Sequence, residues 1–268
     1  MSEPVLYLVA TPIGNLEDMS YRAVRVLSQV STIAAEDTRV TRTLLDHYQI
    51  ADKRIIACHD HNERASAAGI VSLMERGESV ALVSDAGMPV INDPGYRVMQ
   101  AVREAGFRVE LVPGPSAVLA ALVLSGFPPD RFVFLGFPPR KEGQRRNWLT
   151  DAARHGCTLI LMEAPHRLAD FLKDAAEIYG EVEGAVCREI TKTYEETVRA
   201  PLPALAERFA AGTRGEVMVV IDGGSIPPLH AGQEARRQKP RKGKGKRRQA
   251  QQEAAEAAKA ARAAEAEE

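Results

Sequence analysis

The chain has 268 residues, of which 45% are hydrophobic, so its length and composition fit one large or two small globular domains. No apolar stretch is long enough to span a bilayer, the N-terminus lacks the features of a signal peptide, and three scattered cysteines argue against a disulfide framework or a zinc site. We therefore expect a cytoplasmic protein without a metal. The net charge is −1, but it is unevenly distributed. Residues 234–268 are basic, with 11 Lys and Arg against 6 Asp and Glu, whereas the rest of the chain is acidic. The overall charge therefore does not indicate a nucleic-acid binder.

Short apolar strands alternate with amphipathic helices through the first half of the chain. Predicted strands cover residues 5–10, 32–35, 80–83 and 108–112. Predicted helices begin at Ser20, run through Leu44 and Leu45, and cover residues 65–76 and 95–105. This alternation predicts a mostly parallel sheet with helices on both faces.

The second half repeats the alternation after a break at Pro113-Gly114-Pro115-Ser116 and a helix over residues 117–124. Predicted strands cover residues 131–136, 158–162, 185–189 and 216–222, and predicted helices cover residues 145–154, 167–178 and 202–209. We predict an N-terminal α/β domain over residues 1–117 and a second α/β domain over residues 118–224. Residues 225–268, basic and then rich in Ala and Glu, are predicted to be a disordered tail.

Three loops at strand ends, residues 11–15, 84–94 and 113–116, are rich in Gly, Pro and small polar residues. Ligands of parallel sheets bind at the carboxyl ends of strands, and Asp85 directly follows a buried strand there. Each loop taken alone could be an ordinary turn, with Asp85 as a cap, but three together favour a small-molecule cleft. The phosphate-binding patterns G-x-G-x-x-G after the first strand and G-x-x-x-x-G-K-[ST] are absent from the sequence, which disfavours an NTPase or a nicotinamide enzyme.

Seven motifs resemble one family closely. They are Thr11-Pro12-Ile13-Gly14-Asn15-Leu16, Ala35-Glu36-Asp37-Thr38-Arg39, Ser84-Asp85-Ala86-Gly87, Ile91-Asn92-Asp93-Pro94-Gly95, Pro113-Gly114-Pro115, Glu163-Ala164-Pro165-His166-Arg167 and Arg188-Glu189-Ile190-Thr191-Lys192. The chain resembles the small-subunit ribosomal RNA 2′-O-ribose methyltransferase I family, a branch of the tetrapyrrole methylase superfamily. The resemblance covers residues 5–223.

The resemblance implies two α/β domains with S-adenosylmethionine bound in the cleft between them. It also implies a homodimer that methylates the ribose 2′-hydroxyl of a cytidine in 16S ribosomal RNA. The acidic body of the chain suggests that binding relies on local basic patches and on the assembled small subunit rather than on overall charge. The residues that the resemblance assigns to the cofactor are Asp85, Met88, Ser116, Ala117 and Met162, with close-approaching backbone from Gly14, Gly87 and Gly114. The chain departs from the family pattern in two respects: Met88 stands where the family usually has Thr, and the basic tail replaces a helical segment.

A base near the ribose hydroxyl would assist methyl transfer, because that hydroxyl is a weak nucleophile. The candidates are Glu36, Asp37, Asp60, Asp85, Glu189 and, if burial depresses its pKa, Lys192. We favour Asp37 and Lys192 as catalytic residues because both lie in polar runs that resemble the family's. Residues 36–39 could instead form a capping and ion-pairing turn at a helix start.

Candidate RNA contacts form two basic patches, since phosphates are bound by Lys and Arg. The patches comprise Arg39 and Arg42, and Arg140, Lys141, Arg145 and Arg146 in an expected exposed loop. Each could instead be an ordinary solvated surface. The basic run at residues 236–248 could add non-specific affinity for RNA.

Two further polar runs allow more than one interpretation. The run His59-Asp60-His61-Asn62-Glu63 contains metal-ligand residue types, but neighbours on a strand point to opposite faces, so a polar loop on the acceptor side of the cleft is the alternative. His166 and Arg167 open a predicted helix, where they could bind donor or RNA, or pack the helix start.

Two other functions are compatible with the predicted fold. The same fold could methylate a tetrapyrrole or a protein residue, which the long motif set disfavours. A non-catalytic RNA-binding protein of ribosome assembly is disfavoured by the intact glycine loops and Asp85, and binding of the methyl donor would distinguish it.

Overall fold

The first half of the chain forms a five-stranded parallel sheet in the computed structural model, which describes residues 3–227. The strands are β1 (Val5–Val9), β2 (Thr32–Ala35), β3 (Arg54–Ala57), β4 (Val80–Val83) and β5 (Arg108–Val112). They lie in the order β3-β2-β4-β1-β5, and every pair is parallel. The predicted parallel sheet is therefore confirmed for this half, and it contains one additional strand, β3. Residues 228–268, which are all but the first three residues of the predicted tail, lie outside the described residues.

Helices cover both faces of this sheet, as the alternation predicted. They are α1 (Tyr21–Gln29), α2 (Thr38–His47), α3 (Glu63–Glu75) and α4 (Tyr96–Glu104). Helices α1 and α2 bury Leu27 and Leu45 against one face, and α3 and α4 bury Ile70 and Val102 against the other. Because both faces are covered, the strand ends are the sheet's accessible edge for a ligand.

The second half forms a mixed five-stranded sheet. The strands are β6 (Phe132–Phe134), β7 (Thr158–Glu163), β8 (Glu183–Arg188), β9 (Glu196–Pro201) and β10 (Val217–Ile221). They lie in the order β6-β7-β10-β8-β9, and only β6 and β7 are parallel. The prediction of a mostly parallel sheet was wrong here, because β8 turns directly into β9 without a crossover helix.

Four helices belong to this half: α5 (Ala117–Ser125), α6 (Glu142–Ala152), α7 (Leu168–Tyr179) and α8 (Leu202–Arg208). Helices α6, α7 and α8 share a hydrophobic core on one face, where Leu149, Phe171 and Leu205 are fully buried. Helix α6 begins three residues earlier than predicted, so residues 142–146 are helical rather than a loop.

Helix α5 covers the other face of the second sheet, together with Ile13 from the loop after β1. This shared cluster joins the two halves, and residues up to Ile226 form one compact unit. The division into domains at residues 117 and 118 stays a prediction. Among residues 3–227, the helices lack the combined length and apolar character needed to cross a bilayer.

Candidate active site

A cavity of about 450 Å³ opens between the strand ends of the first sheet and the face of the second sheet that α5 covers. Its volume falls within the range of roughly 300–1,000 Å³ typical of small-molecule sites. The first half contributes Ile13, Glu36, residues 85–88 and 91–93, and Ser116. The second half contributes Ala117 and Val118 from the start of α5, Phe134, Phe137, residues 162–165, Cys187, Ile190 and residues 215–218.

Six of the eight residues predicted to contact a cofactor line this cavity: Asp85, Gly87, Met88, Ser116, Ala117 and Met162. Gly87 has a φ of +80°, which favours glycine, and lies close to Ile13. Gly14 and Gly114 are not among the lining residues of this cavity. A Cβ on Gly14 would lie 2.5 Å from Lys192 Cγ, and one on Gly114 would lie 2.9 Å from Ala10 Cβ, so these glycines allow close packing within the protein.

Carboxylates from neighbouring strand ends form one wall of the cavity. Glu36 follows β2, Asp85 follows β4, and Asp93 lies farther along the β4 loop. The Asp85 backbone N–H donates to Glu36 Oε2 at 3.4 Å, and Asp85 Oδ1 accepts from the Asp37 N–H at 2.9 Å. These bonds fix the two loops to each other and direct negative charge into the cavity.

Burial and mutual repulsion raise the pKa of two of these carboxyls. Burial is the main cause that raises the pKa of Glu36, and the charges of Asp85, Asp60 and Asp37 add to it. Burial raises the pKa of Asp93 to about 6, with a contribution from the charge of Glu36. A wall of this kind favours a cationic ligand, and Asp93 titrates near neutral pH, where a proton acceptor is useful.

Backbone geometry brings Asp93 to this wall. Val90 and Asn92 adopt positive φ values of 76° and 65°. A positive φ is especially unusual for Val90, because its side chain is β-branched. The buried carboxylate of Glu63 holds the far end of the loop, since its Oε1 accepts hydrogen bonds from the N–H groups of Gly95 and Arg97, both at 2.9 Å. The sequence motif contained Asp93, but its φ pattern and partial burial could not be predicted from the motif.

A second buried carboxylate, Glu163, lies on the opposite wall at the end of β7. Its side chain is fully buried, its Oε1 accepts from the Ala164 N–H at 2.8 Å, and its Oε2 pairs with Arg167 Nη2 at 3.2 Å. Arg167 Nη2 also donates to the Pro138 carbonyl at 2.8 Å. Burial raises the pKa of Glu163. Glu163 was not among the predicted site residues, although it ends a buried strand and is followed by Ala164-Pro165, which is a local signal for a strand-end loop.

The two favoured catalytic candidates lie beside the cavity rather than in its lining. Asp37 caps α2 and pairs with Arg39, whose hydrogen bonds lower the pKa of Asp37 to about 2. Burial lowers the pKa of Lys192, but hydrogen bonds and charges of Glu189 and Glu216 outweigh it, so the pKa is raised. The condition set for Lys192, a pKa depressed by burial, is therefore not met.

The two predicted basic patches differ in exposure. Arg145 is buried and pairs with Asp174 at 2.7 Å, and Arg146 bridges Asp174 and Glu177. The expectation of an exposed loop was wrong for these two residues, because α6 turns them toward α7. Arg140 and Lys141 are exposed just before α6, as are Arg39 and Arg42 on α2.

The histidine run does not form a metal-ligand set. His59 and His61 have ring centroids 6.0 Å apart, and the Asn62 side chain accepts a hydrogen bond from the His59 N–H. Within residues 3–227, no group of three or more His, Cys, Asp or Glu side chains is arranged to hold a metal ion.

Comparison with known proteins agrees with this geometry. The family model for Tetrapyrrole (Corrin/Porphyrin) Methylases matches residues 5–206. The chain belongs to this family. A solved structure of cobalt precorrin-4 methyltransferase superposes with a TM-score of 0.61 over 83% of this chain and 96% of the other, at 19% identity. This likeness confirms the tetrapyrrole methylase fold.

Relatives with higher identity place the chain in one branch of the tetrapyrrole methylases. A protein from Halalkalibacterium halodurans, named ribosomal RNA small subunit methyltransferase I, is 44% identical over 219 residues, which cover 81% of this chain and 75% of the relative. A protein of the same name from Mesorhizobium japonicum is 47% identical over 222 residues, which cover 82% of this chain and 75% of the relative. The resemblance to the methyltransferase I family is thus confirmed.

Proposed function

We propose that the protein transfers a methyl group from S-adenosylmethionine to the ribose 2′-hydroxyl of a cytidine in 16S ribosomal RNA, on the assembled small subunit. The observation that carries this proposal is the 44–47% identity to methyltransferases named for small-subunit ribosomal RNA, over more than four-fifths of the chain. The geometry supports it, because six of the seven motifs contribute residues to the lining of one cavity.

The chemistry of the cavity suits this methyl donor. When bound, S-adenosylmethionine supplies an electrophilic methyl group on a positively charged sulfur. The carboxylates of Glu36, Asp85 and Asp93 would offset positive charge on one wall. Met162 and Met218 provide an apolar surface on the opposite wall, suited to an aromatic ring.

We assign proton acceptance from the ribose hydroxyl to Asp93. Its carboxyl lines the cavity, and its pKa of about 6 leaves it ionised at neutral pH yet more basic than an ordinary aspartate. Asp37 is less suited because its pKa of about 2 makes it a weak base. Lys192 is less suited because its raised pKa keeps it protonated.

The remaining partners follow from the family and from exposed groups. We propose that Arg39, Arg140 and Lys141 contact phosphates, whereas Arg145 and Arg146 support the helix pair α6 and α7. We also propose a cytoplasmic homodimer. The exposed apolar side chains of α5, Leu119, Val123 and Leu124, are available for such a contact.

Transfer of radiolabelled methyl groups tests the proposal against other acceptors. Purified small ribosomal subunits from cells lacking the modification are compared with naked 16S RNA, a tetrapyrrole precursor and total protein as acceptors. We expect label in the RNA of the small subunits, and loss of label with Asp85→Ala. Label in a tetrapyrrole or in protein would move the function to another acceptor, and failure to bind the donor would leave a non-catalytic RNA-binding role.

A further inference from the structure

We propose that Phe137 stacks on the base of the acceptor nucleotide at the mouth of the cavity, with Ile91 against the other side of that base. This inference rests on the proposed function, because it assumes that the acceptor is a nucleotide. It assigns a base-recognition role to a residue outside the seven motifs.

Phe137 and Ile91 are exposed apolar side chains on the cavity lining. Phe137 is 52% exposed and Ile91 is 53% exposed, although both line the same cavity as the carboxylate wall. Two exposed apolar groups at the mouth of a cavity offer a slot for a flat apolar ligand. Phe132 is similarly exposed, at 41%, but lies on the edge strand β6 and not in the cavity lining.

The backbone on both sides of Phe137 is held in place. The Gly136 carbonyl accepts a hydrogen bond from the Met162 N–H at 3.0 Å, which extends the pairing of β6 and β7 to the edge of the cavity. The Pro138 carbonyl accepts from Arg167, whose partner is the buried Glu163. The backbone that carries the ring is therefore already ordered before a base stacks on it, which favours binding.

The loop that carries Ile91 approaches this strand end closely. A Cβ on Gly136 would lie 3.2 Å from Asn92 Oδ1, so the two loops face each other across the mouth. Gly136 has a φ of 62°, which favours glycine at the point where the chain turns toward Phe137. The apolar slot is thus formed by two segments that are each fixed elsewhere in the protein.

Two exposed cations follow Phe137 closely in the chain. Arg140 and Lys141 follow Phe137 by three and four residues, and both are exposed. Within the described residues, neither makes an ion pair that would compete with phosphate. An aromatic residue beside cations is the combination that holds single-stranded nucleic acid. A base extruded from the RNA and stacked here would carry its own ribose hydroxyl toward the carboxylate wall.

Kinetics of three variants test the stacking role. We expect Phe137→Ala to lower kcat/KM for small subunits by about 10- to 100-fold, the loss typical of one base stack, while affinity for S-adenosylmethionine is unchanged. Phe137→Tyr keeps a stacking ring and should retain most of the activity. Phe132→Ala is the matched control, since it removes an exposed phenylalanine outside the cavity. Equal activity of Phe137→Ala and Phe132→Ala, or loss of donor binding in Phe137→Ala, would overturn the proposal.

A fluorescence measurement tests stacking independently of turnover. Trp148 is the single tryptophan of the chain, so Trp148→Phe combined with Phe137→Trp leaves one indole at the mouth. We expect unmodified small ribosomal subunits, the proposed substrate, to quench this indole, and a Phe132→Trp counterpart to remain unquenched. Absence of quenching at position 137 would overturn the proposal even if the wild-type enzyme methylates RNA. If no RNA is methylated but position 137 is quenched, the proposed reaction fails while the stacking site stands.

Discussion

The Asp85 carboxylate accepts a hydrogen bond from the backbone N–H of Asp37 at 2.9 Å. This bond joins the loop after β4 to the start of α2 and directs the Asp85 side chain into the cavity. Asp85 therefore holds a loop in place and supplies charge to the proposed donor site. Substitutions can separate these two contributions.

Asp85→Asn should weaken binding of S-adenosylmethionine by about 10-fold or more, because it removes a charge while its amide oxygen can still accept the Asp37 N–H. Asp85→Ala should weaken binding further and also lower the melting temperature, since the Asp37 N–H loses its partner. Calorimetric titration with the donor and thermal unfolding measure the two effects. Donor affinity of Asp85→Asn equal to wild type would show that the charge of Asp85 is not used.

Asp93 should give the protein and its reaction a pH dependence near 6. Its folded-state pKa of about 6 lies above the ordinary value of 3.8, so the folded protein binds the proton more tightly, and stability falls as pH rises between these values. Asp93→Asn should be more stable than wild type by about 1–2 kcal/mol at pH 8, a figure reduced for partial exposure, with no gain near pH 4. Denaturant titrations at the two pH values measure this difference.

The Asp93 carboxyl should also control the rate of methyl transfer. If Asp93 accepts the hydroxyl proton, single-turnover methyl transfer should fall as pH drops through about 6, because the base becomes protonated. Asp93→Asn should be slower by about 100-fold or more and should lose this limb of the profile. An unchanged limb in Asp93→Asn would assign the titration to another group, with Glu36 as the nearest alternative.

Gly14→Ala should destabilise the protein by about 1–3 kcal/mol, because the added methyl group would overlap Lys192 Cγ and Thr191 Oγ1. Gly69→Ala is the matched control. Gly69 lies in α3 with nothing within 4 Å of an added Cβ, so alanine there should stabilise by about 0.5–1 kcal/mol. Denaturant midpoints of both variants test the packing role of Gly14. A neutral Gly14→Ala that loses only donor binding would instead restore Gly14 to the cofactor site.

Arg145→Ala should mainly lower stability, whereas Arg140→Ala should mainly weaken RNA binding. Arg145→Ala leaves Asp174 with one of its two cationic partners and should cost about 3 kcal/mol of stability. Arg140→Ala should change stability by less than about 0.5 kcal/mol but weaken RNA binding. It should also reduce the slope of the logarithm of the RNA-binding constant against the logarithm of salt concentration by about one. Unfolding and filter binding at several salt concentrations compare the variants. Loss of RNA binding by a stably folded Arg145 variant would contradict this assignment.

The parallel sheet of the first half and many residues of the cavity lining could be predicted from the sequence. Buried strands with alternating helices specify a parallel sheet, and Asp85 was found because it directly follows such a strand. The strands missed, β3 and β9, lie at sheet edges, where short or charged segments lack a strong apolar pattern. The antiparallel pairing of the second sheet depends on the turn between β8 and β9, which the helix–strand alternation does not encode.

Long-range contacts explain the other differences. The pairing of Arg145 with Asp174 joins residues 29 positions apart, so a local basic cluster gave no sign that it was buried. Burial and the charge of Glu36 raise the pKa of Asp93, and both depend on the loop whose residues Val90 and Asn92 have positive φ values. Phe137 lies in a segment without a motif, and only the meeting of two loops brings it to the cavity mouth.

The position of the transferred methyl group distinguishes ribose methylation from base methylation. Labelled RNA from unmodified small subunits is digested with alkali, which cleaves every linkage except one that follows a 2′-O-methylated ribose. We expect the label in an alkali-resistant dinucleotide that yields 2′-O-methylcytidine on further digestion. Label in mononucleotides would place the methyl group on a base and contradict the proposed 2′-O-methylation.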